Sequence, residues 1–203
     1  MLNLYTLSIL GYLIGSVSFA IVIAKLFKLT DPRDVGSKNP GATNILRYGG
    51  AKLAAATLAG DAAKGFFPVL LCLQIELDKV DTIIVALCIL LGHIFPIFFR
   101  FKGDKGVATF VGITGALNLY ILAVFCLTWL LIAKVSKYSS LAAIVSTLTA
   151  AIISYFLENS VPFFCVYLLM SGIVIARHKT NMKNIRTGNE RKIGEKENNK
   201  EQT

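Results

Sequence analysis

Five short polar stretches interrupt an otherwise apolar chain, and together they place glycine, asparagine and serine beside cations. The first reads DPRDVGSKNPGATNILR, Asp31 to Arg47. Gly36 and Gly41 free its backbone, Asn39-Pro40 makes a turn, and Thr43 or Asn44 would cap a short helix that carries Arg47. A glycine turn opening a helix presents several backbone N–H groups at the positive end of a dipole, an arrangement that holds phosphate. Ser37, Asn39, Thr43 and Arg47 would add side-chain contacts. The spacing G-x-x-x-x-G is that of a nucleotide loop, but Ala42 stands where that loop needs lysine and no strand precedes it, so nucleotide hydrolysis is excluded.

The second stretch, GHIFPIFFRFKGDKGVAT, sets Gly103 and Gly106 around Lys105 just before an apolar helix restarts at Val107. Again a glycine turn offers a cation at a helix start. Arg100 and Lys102 read as topology anchors that snorkel to the interface, whereas Lys105 reads as a binding residue. His93 has two readings, a core histidine bonded to a neighbouring carbonyl or a functional group. In GDAAKG, Asp61 and Lys64 share a helix face at i,i+3. They would form a structural ion pair or bind a ligand jointly, and Asp61 could also cap the amides around Lys64 and Gly65. Finally, IARHKTNMKN places His178 and Asn181 at i,i+3, and Ser140 enters a helix from the same membrane surface.

What converges is cationic and hydrogen-bonding. There is no G-x-S-x-G elbow, no Ser-His-Asp triad and no carboxylate ladder for a metal, so neither metal nor cofactor is expected. A ligand with a phosphate head in the loops and an acyl tail in the bilayer fits this chemistry. An organophosphate transporter is a rival class, opposed by an outer rim of Glu76, Asp78, Asp81 and Glu158 that would repel anions. A purely structural membrane subunit leaves the loop glycines unexplained.

The elements that must position these residues are membrane helices. Of the 203 residues, 55% are hydrophobic and 16% charged, against averages of about 45 to 50% and about 25%. That excludes a soluble core, and it turns the net charge of +9 into topology charge rather than a nucleic-acid footprint. Cys72, Cys88, Cys126 and Cys165 lie inside apolar stretches with no C-x-x-C pair, so neither zinc nor a disulfide framework is indicated. No basic side chain precedes Lys25, so the first helix is expected to stay as an anchor rather than be cleaved as a signal. Since about 20 apolar residues cross the hydrocarbon core, spans are expected at residues 3–24, 51–73, 80–100, 139–157 and 161–177. Residues 107–133 are one tilted helix or two short ones broken near Gly115 to Asn118.

Charge decides between these. Cytoplasmic loops are rich in Lys and Arg, which puts the N-terminus outside and the loops around Arg47 and Lys105 inside. A single crossing by 107–133 would leave Lys134, Lys137 and the basic tail outside, whereas a double crossing returns them to the cytoplasm. The expectation is therefore an all-α bundle of seven membrane segments, two of them short, with a cytoplasmic C-terminus. Residues 1–185 would form one domain and 186–203 a polar, disordered tail. The Gly11 to Gly15 spacing and the small residues from Ala54 to Ala63 predict close helix packing.

GSVSFAIVIAK, GSKNPGATNILR, GDAAKG, GHIFPIFFRFKGDKGVAT, KYSSLAAI and ARHKTNMKNIRTGNE, in that order across nearly the whole chain, resemble the signatures of the bacterial acyl-phosphate:glycerol-3-phosphate acyltransferases. The resemblance implies an integral enzyme of the bacterial cytoplasmic (inner) membrane with its active site at the cytoplasmic face. It would move a fatty acyl group from acyl phosphate to the 1-hydroxyl of glycerol 3-phosphate, giving lysophosphatidic acid and phosphate in the first acylation of phospholipid synthesis. It implies Ser37, Arg47, Lys105, His178 and Asn181 as catalytic, holding the glycerol phosphate. Asn39, Gly41, Ala42 and Thr43 would cradle the acyl phosphate; Asn44, Asp61, Lys64, Gly65, His93, Gly103, Gly106 and Ser140 complete the expected substrate-binding set. Implied partners are the two substrates, the lipid bilayer and the soluble enzyme that makes acyl phosphate, with no nucleic acid. Asp104 departs from the family's usual glycine and would weaken the attraction of Lys105 for an anion; Asn184 stands for a usual arginine, and Ala142 where serine or alanine occurs.

Overall fold

The computed structural model describes residues 3–195, and these form ten α-helices and one 3-10 turn with no strand among them. The helices are α1 (Leu4–Gly15), α2 (Phe19–Leu26), α3 (Ala42–Tyr48), α4 (Ala51–Gln74), α5 (Lys79–Ile94), α6 (Val107–Leu117), α7 (Leu119–Ser136), α8 (Ser139–Glu158), α9 (Val161–Arg177) and α10 (Lys179–Arg186), with the 3-10 turn at Ile97–Phe99. Four stretches are long and apolar enough to cross a membrane: α4, α5 with its 3-10 extension, α7 and α8. The number rises to six if the bent pairs α1–α2 and α9–α10 each count as one span, and α6 is a shorter apolar helix. The first span, expected as a single helix over 3–24, is instead broken at residues 16–18 and bends by 42°. The stretch 107–133 is broken at Asn118, whose side chain accepts hydrogen bonds from the Tyr120 and Ile121 amides and so starts α7.

Two helix pairs set the frame, and glycine makes both. Along α1 and α5, a Cβ on Gly15 would strike the Ile89 backbone and one on Gly92 the Tyr12 carbonyl. Along α4 and α6, a Cβ on Gly65 would strike the Thr109 carbonyl and one on Gly112 the Ala62 carbonyl. In lipid, where tails are as apolar as leucine, such close backbone approach is what holds helices together. Behind these pairs Ile83, Ile89, Phe110, Ile113, Phe163, Tyr167 and Met170 form one buried core. Buried hydroxyls are satisfied within it: Thr114 pairs with Tyr167 at 2.6 Å, and Ser146 and Thr147 donate one turn back along α8. Outward, α7 has a mean hydropathy of 2.1 with only 17% of its span buried, so its apolar surface belongs to lipid.

Apart from the buried hydroxyls and the buried Asp61, Lys64 and His93 side chains, the polar groups gather at the two ends. At one end Lys79 pairs with Glu158 at 3.0 Å and Asn118 donates to Glu158 at 2.7 Å. At the other lie the glycine turns, the start of α8 and α10. The tail, expected to be disordered from residue 186, packs back onto this second end, with Glu190 bonded to Ser140 and the Ile193 amide donating to the Lys137 carbonyl. Residues 196–203 of that expected tail lie outside the described residues.

Candidate active site

A cavity of about 1070 Å³ opens at this second end, between the first loop, the Gly103–Gly106 turn and α10. The expected residues Ser37, Asn39, Arg47, Gly103, Lys105 and Asn181 line it, and Arg33 and Arg177 add cations to its wall. Arg33 is fixed by Asp31 at 2.7 Å and lies over the Phe99 ring, while Arg177 donates to the Gly103 carbonyl at 3.3 Å. Lys105 donates to the Asn181 side-chain oxygen at 2.7 Å. Asn181 in turn donates to Glu190 at 2.7 Å, and Ser140 donates to the same Glu190 oxygen at 2.6 Å. An ammonium has three N–H bonds, so one contact to Asn181 leaves two for a ligand. Burial pushes the Lys105 amine below the ordinary lysine range; the Asp104 and Glu190 carboxylates oppose this, and Arg47 and Arg177 add to it.

Two expected roles are corrected by the backbone. Neither Thr43 nor Asn44 caps α3: Gly41 is the cap residue and Ala42 already lies in the helix. Asn44 is buried and ties the loop instead, donating to the Pro32 and Val35 carbonyls at 2.9 and 3.0 Å and accepting the Ser37 amide at 3.0 Å. Ala42, Thr43 and Gly41 are not among the cavity walls. Gly41 is needed because a Cβ there would strike the Asp104 carboxylate, and Gly106 because its φ is +95°. His178 is 3% exposed, sits at the 52° bend between α9 and α10, and donates from its ring Nδ1 to the Val174 carbonyl at 2.8 Å. It is not among the residues that line the cavity, whereas Asn181, one turn further along α10, is.

Asp61, Lys64, Gly65 and His93 lie deeper, off the cavity. Asp61 and Lys64 pair at 2.7 Å, and both reach the break in the first span: Lys64 donates to the Val17 carbonyl and Asp61 accepts the Phe19 amide at 3.4 Å. A broken helix in lipid frees carbonyls at one stub and amides at the other, with no water to satisfy them. The ion pair supplies one charge of each sign where the dipoles want them. Asp61 thus serves the Phe19 amide rather than the amides around Lys64 and Gly65. His93 stands between Asp61 and Asp104, 3.6 Å from each, an electrostatic contact longer than a hydrogen bond, and has no carbonyl partner. The Asp104 carboxylate, 14% exposed, turns inward to accept the Asn39 amide. It is not among the cavity walls, although its charge still acts on the neighbouring Lys105 amine. Burial alone would raise its carboxyl, but the His93 ring, the Asn39 amide and the Lys105 backbone N–H outweigh that and hold it below the usual carboxylate range.

Glu190, which lines the cavity and accepts from Asn181 and Ser140, is the residue the sequence reading passed over. Its signal was present, since the GNE triplet closes the last polar motif, but low hydropathy assigned it to the tail. Among the described residues no group of three His, Cys, Asp or Glu side chains is placed to hold a metal ion.

A polytopic all-helical bundle with a cation-walled cavity at one end defines a membrane protein that handles anionic, phosphate-type ligands at a lipid interface. Residues 5–188 match the family described as Glycerol-3-phosphate acyltransferase, and the chain belongs to it. It is 44% identical over 187 residues to the glycerol-3-phosphate acyltransferase of Ruthia magnifica subsp. Calyptogena magnifica, covering 92% of this chain and 95% of that one. It is 46% identical to the one from Nitrosomonas eutropha, covering 91% and 94%. Its fold matches the crystal structure of PlsY (YgiH), an integral membrane glycerol 3-phosphate acyltransferase, in the glycerol 3-phosphate form, with a TM-score of 0.90, 36% identity and coverage of 94% and 96%. The lysophosphatidic acid form of PlsY matches with a TM-score of 0.88 and 35% identity, covering 94% and 95%. This chain is a membrane acyltransferase of that family.

Proposed function

We propose that the chain transfers a fatty acyl group from an acyl phosphate to the 1-hydroxyl of sn-glycerol 3-phosphate, releasing lysophosphatidic acid and phosphate as the first acylation of phospholipid synthesis. The observation that carries this reading is the single cavity wall shared by Ser37, Arg47, Lys105 and Asn181, drawn from three distant segments. The relatives' acceptor and product forms, glycerol 3-phosphate and lysophosphatidic acid, support both ends of the reaction.

The acceptor phosphate sits against Arg47 and the Lys105 ammonium that Asn181 holds in place. The Ser37 turn and Asn39 receive the acyl-phosphate head, and the acyl tail lies along the lipid side of the bundle. The glycerol hydroxyl attacks the acyl carbon; the new C–O bond forms as the bond to the phosphate oxygen breaks, and the phosphate leaves with the electron pair. The hydroxyl proton passes to a substrate phosphate oxygen, with Ser37 or His178 as the alternative acceptor. Acyl phosphate is already activated, so no covalent enzyme intermediate is required. Fixed donors around the developing charge and the joint binding of two substrates supply the acceleration.

The same reading places seven segments in the bacterial cytoplasmic membrane, N-terminus outside and C-terminus inside, with the cavity at the cytoplasmic leaflet. The Lys- and Arg-rich loops at the cavity end support this, as does the break at Asn118. A cytoplasmic mouth also suits delivery of donor by a soluble acyl-phosphate-producing enzyme. Purified protein in lipid, given radiolabelled glycerol 3-phosphate and palmitoyl phosphate, is expected to make lysophosphatidic acid without ATP, CoA or added metal. Vesicle uptake of glycerol 3-phosphate without product would overturn the acyltransfer reading in favour of transport.

A further inference from the structure

Both ring nitrogens of His93 are fully buried without a hydrogen-bond partner, the only such side-chain atoms among the described residues. It is 3% exposed, and nothing in the reaction above uses it. Its surroundings are nevertheless all ionisable. Nδ1 faces the Asp61 carboxylate and Nε2 the Asp104 carboxylate, each at 3.6 Å, and Lys64 completes the cluster through its 2.7 Å pair with Asp61. A ring protonated at both nitrogens can donate toward both carboxylates, and it balances the buried set at two cations against two anions. A residue that only filled volume here would be apolar.

The cluster connects two places that the fold must hold in register. At its inner end Asp61 and Lys64 secure the broken first span through the Phe19 amide and the Val17 carbonyl. At its outer end Asp104 accepts the Asn39 amide and presses on Gly41, where any Cβ would strike its carboxylate. Asp104 is also the immediate neighbour of Lys105, and the next turn residue, Gly103, lies so close to His93 that a Cβ there would meet the His93 carbonyl. The first loop and the glycine turn therefore share one anchor, and the His93 ring faces that anchor from below.

We propose that His93 is a positioning residue: through Asp104 it fixes Asn39 of the first loop and Lys105 of the glycine turn at the distance that two phosphate heads require, without touching substrate itself. This rests on the acyltransfer reading above. If it is right, His93 and Asp104 act as one unit. Removing either releases the same contact, so removing both costs little more than removing one.

The test is a double-mutant cycle on lipid-reconstituted enzyme, with His93→Gln, Asp104→Ala and the pair, reading KM for glycerol 3-phosphate separately from kcat. Each single variant is expected to raise KM by about 5- to 50-fold with a smaller fall in kcat, and the double variant to match the worse single variant rather than the product of the two. Additive effects, or an unchanged KM in folded single variants, would overturn the proposal, because a histidine that only packs the core would lower thermal stability and leave the affinity of the folded fraction intact. Should His93→Gln not fold, Asp104→Ala and Asp104→Asn read the same link from its outer end, and an unchanged KM in both sinks it. Unsubstituted enzyme runs in parallel: absence of lysophosphatidic acid there indicts the acyltransfer reading, whereas normal turnover with silent variants indicts the role of His93 alone.

Discussion

Lys105 has to be charged to hold a phosphate, and its surroundings make that charge easier to lose than on a free lysine. Burial outweighs the two carboxylates, and Arg47 and Arg177 push in the same direction. The folded amine thus titrates below the ordinary value of about 10.4, and the bound anion is favoured only below that lowered midpoint. KM for glycerol 3-phosphate is therefore expected to rise on the alkaline side before an ordinary lysine would titrate, and Lys105→Arg to flatten that rise because a guanidinium stays charged. A KM constant up to pH 10 in the unsubstituted enzyme would refute it. At neutral pH, Lys105→Met is expected to cost about 1.5 to 3 kcal/mol of charge-assisted bonding, roughly 10- to 150-fold in kcat/KM. Asn44 makes a different kind of contribution. Its amide satisfies two carbonyls and one backbone N–H of the first loop, so Asn44→Ala should lower stability by about 1 to 3 kcal/mol through the groups it strands, measured as a fall in the detergent-solubilised Tm. The cation-and-glycine motifs that line the cavity were legible in the sequence, since glycine turns before helices announce themselves locally. The parts that were not legible are long-range: that Asn44 turns back on Pro32, that Asp104 turns inward to Asn39, and that Glu190 returns to Ser140.

The helices owe their arrangement to glycines whose role depends on what packs against them. Spacing alone marked Gly11 and Gly15 as a packing face, and α5 does lie on it. The partners Gly92 and Gly112 carried no such signal, because a lone glycine in an apolar run looks the same wherever it points. The break at residues 16–18 was also silent. It contains no proline, and its freed backbone groups are satisfied by Asp61 and Lys64 more than forty residues away. A matched comparison tests the packing account. Gly92→Ala puts a methyl into the Tyr12 carbonyl, whereas Gly172 lies on an exposed face of α9 with nothing within 4 Å of its Cβ position. Gly92→Ala is expected to lower folded yield and Tm through an overpacking cost of about 1 to 3 kcal/mol. Gly172→Ala should be neutral or stabilise by about 0.5 to 1 kcal/mol through helix propensity. Equal effects of the two would remove the close-approach argument.

For the molecule as a whole, the polarity of the bundle and the placement of its chemistry are a single problem. A membrane helix that reverses at Asn118 sends α6 and α7 in opposite directions, so Lys134 and Lys137 end beside Ser140 and the cavity rather than beside Glu158. Positive charge then gathers at the cavity end, while the Lys79, Asn118 and Glu158 cluster marks the far end. The basic residues gathered at this end thus make the mouth of the cavity attractive to anions. If α6 and α7 instead formed one crossing, that coincidence would break, with half of the basic end exported. Single cysteines placed at Lys134 and Asn159 in a background lacking Cys72, Cys88, Cys126 and Cys165 distinguish the two arrangements. Both positions are exposed, at opposite ends of α7 and α8. Lys134→Cys is expected to react with an impermeant maleimide only in inside-out vesicles, and Asn159→Cys only in right-side-out ones. Labelling of Lys134→Cys from the outer face would place the basic end of α7 away from the cytoplasm and with it overturn the cytoplasmic orientation of the cavity, whatever activity the enzyme shows.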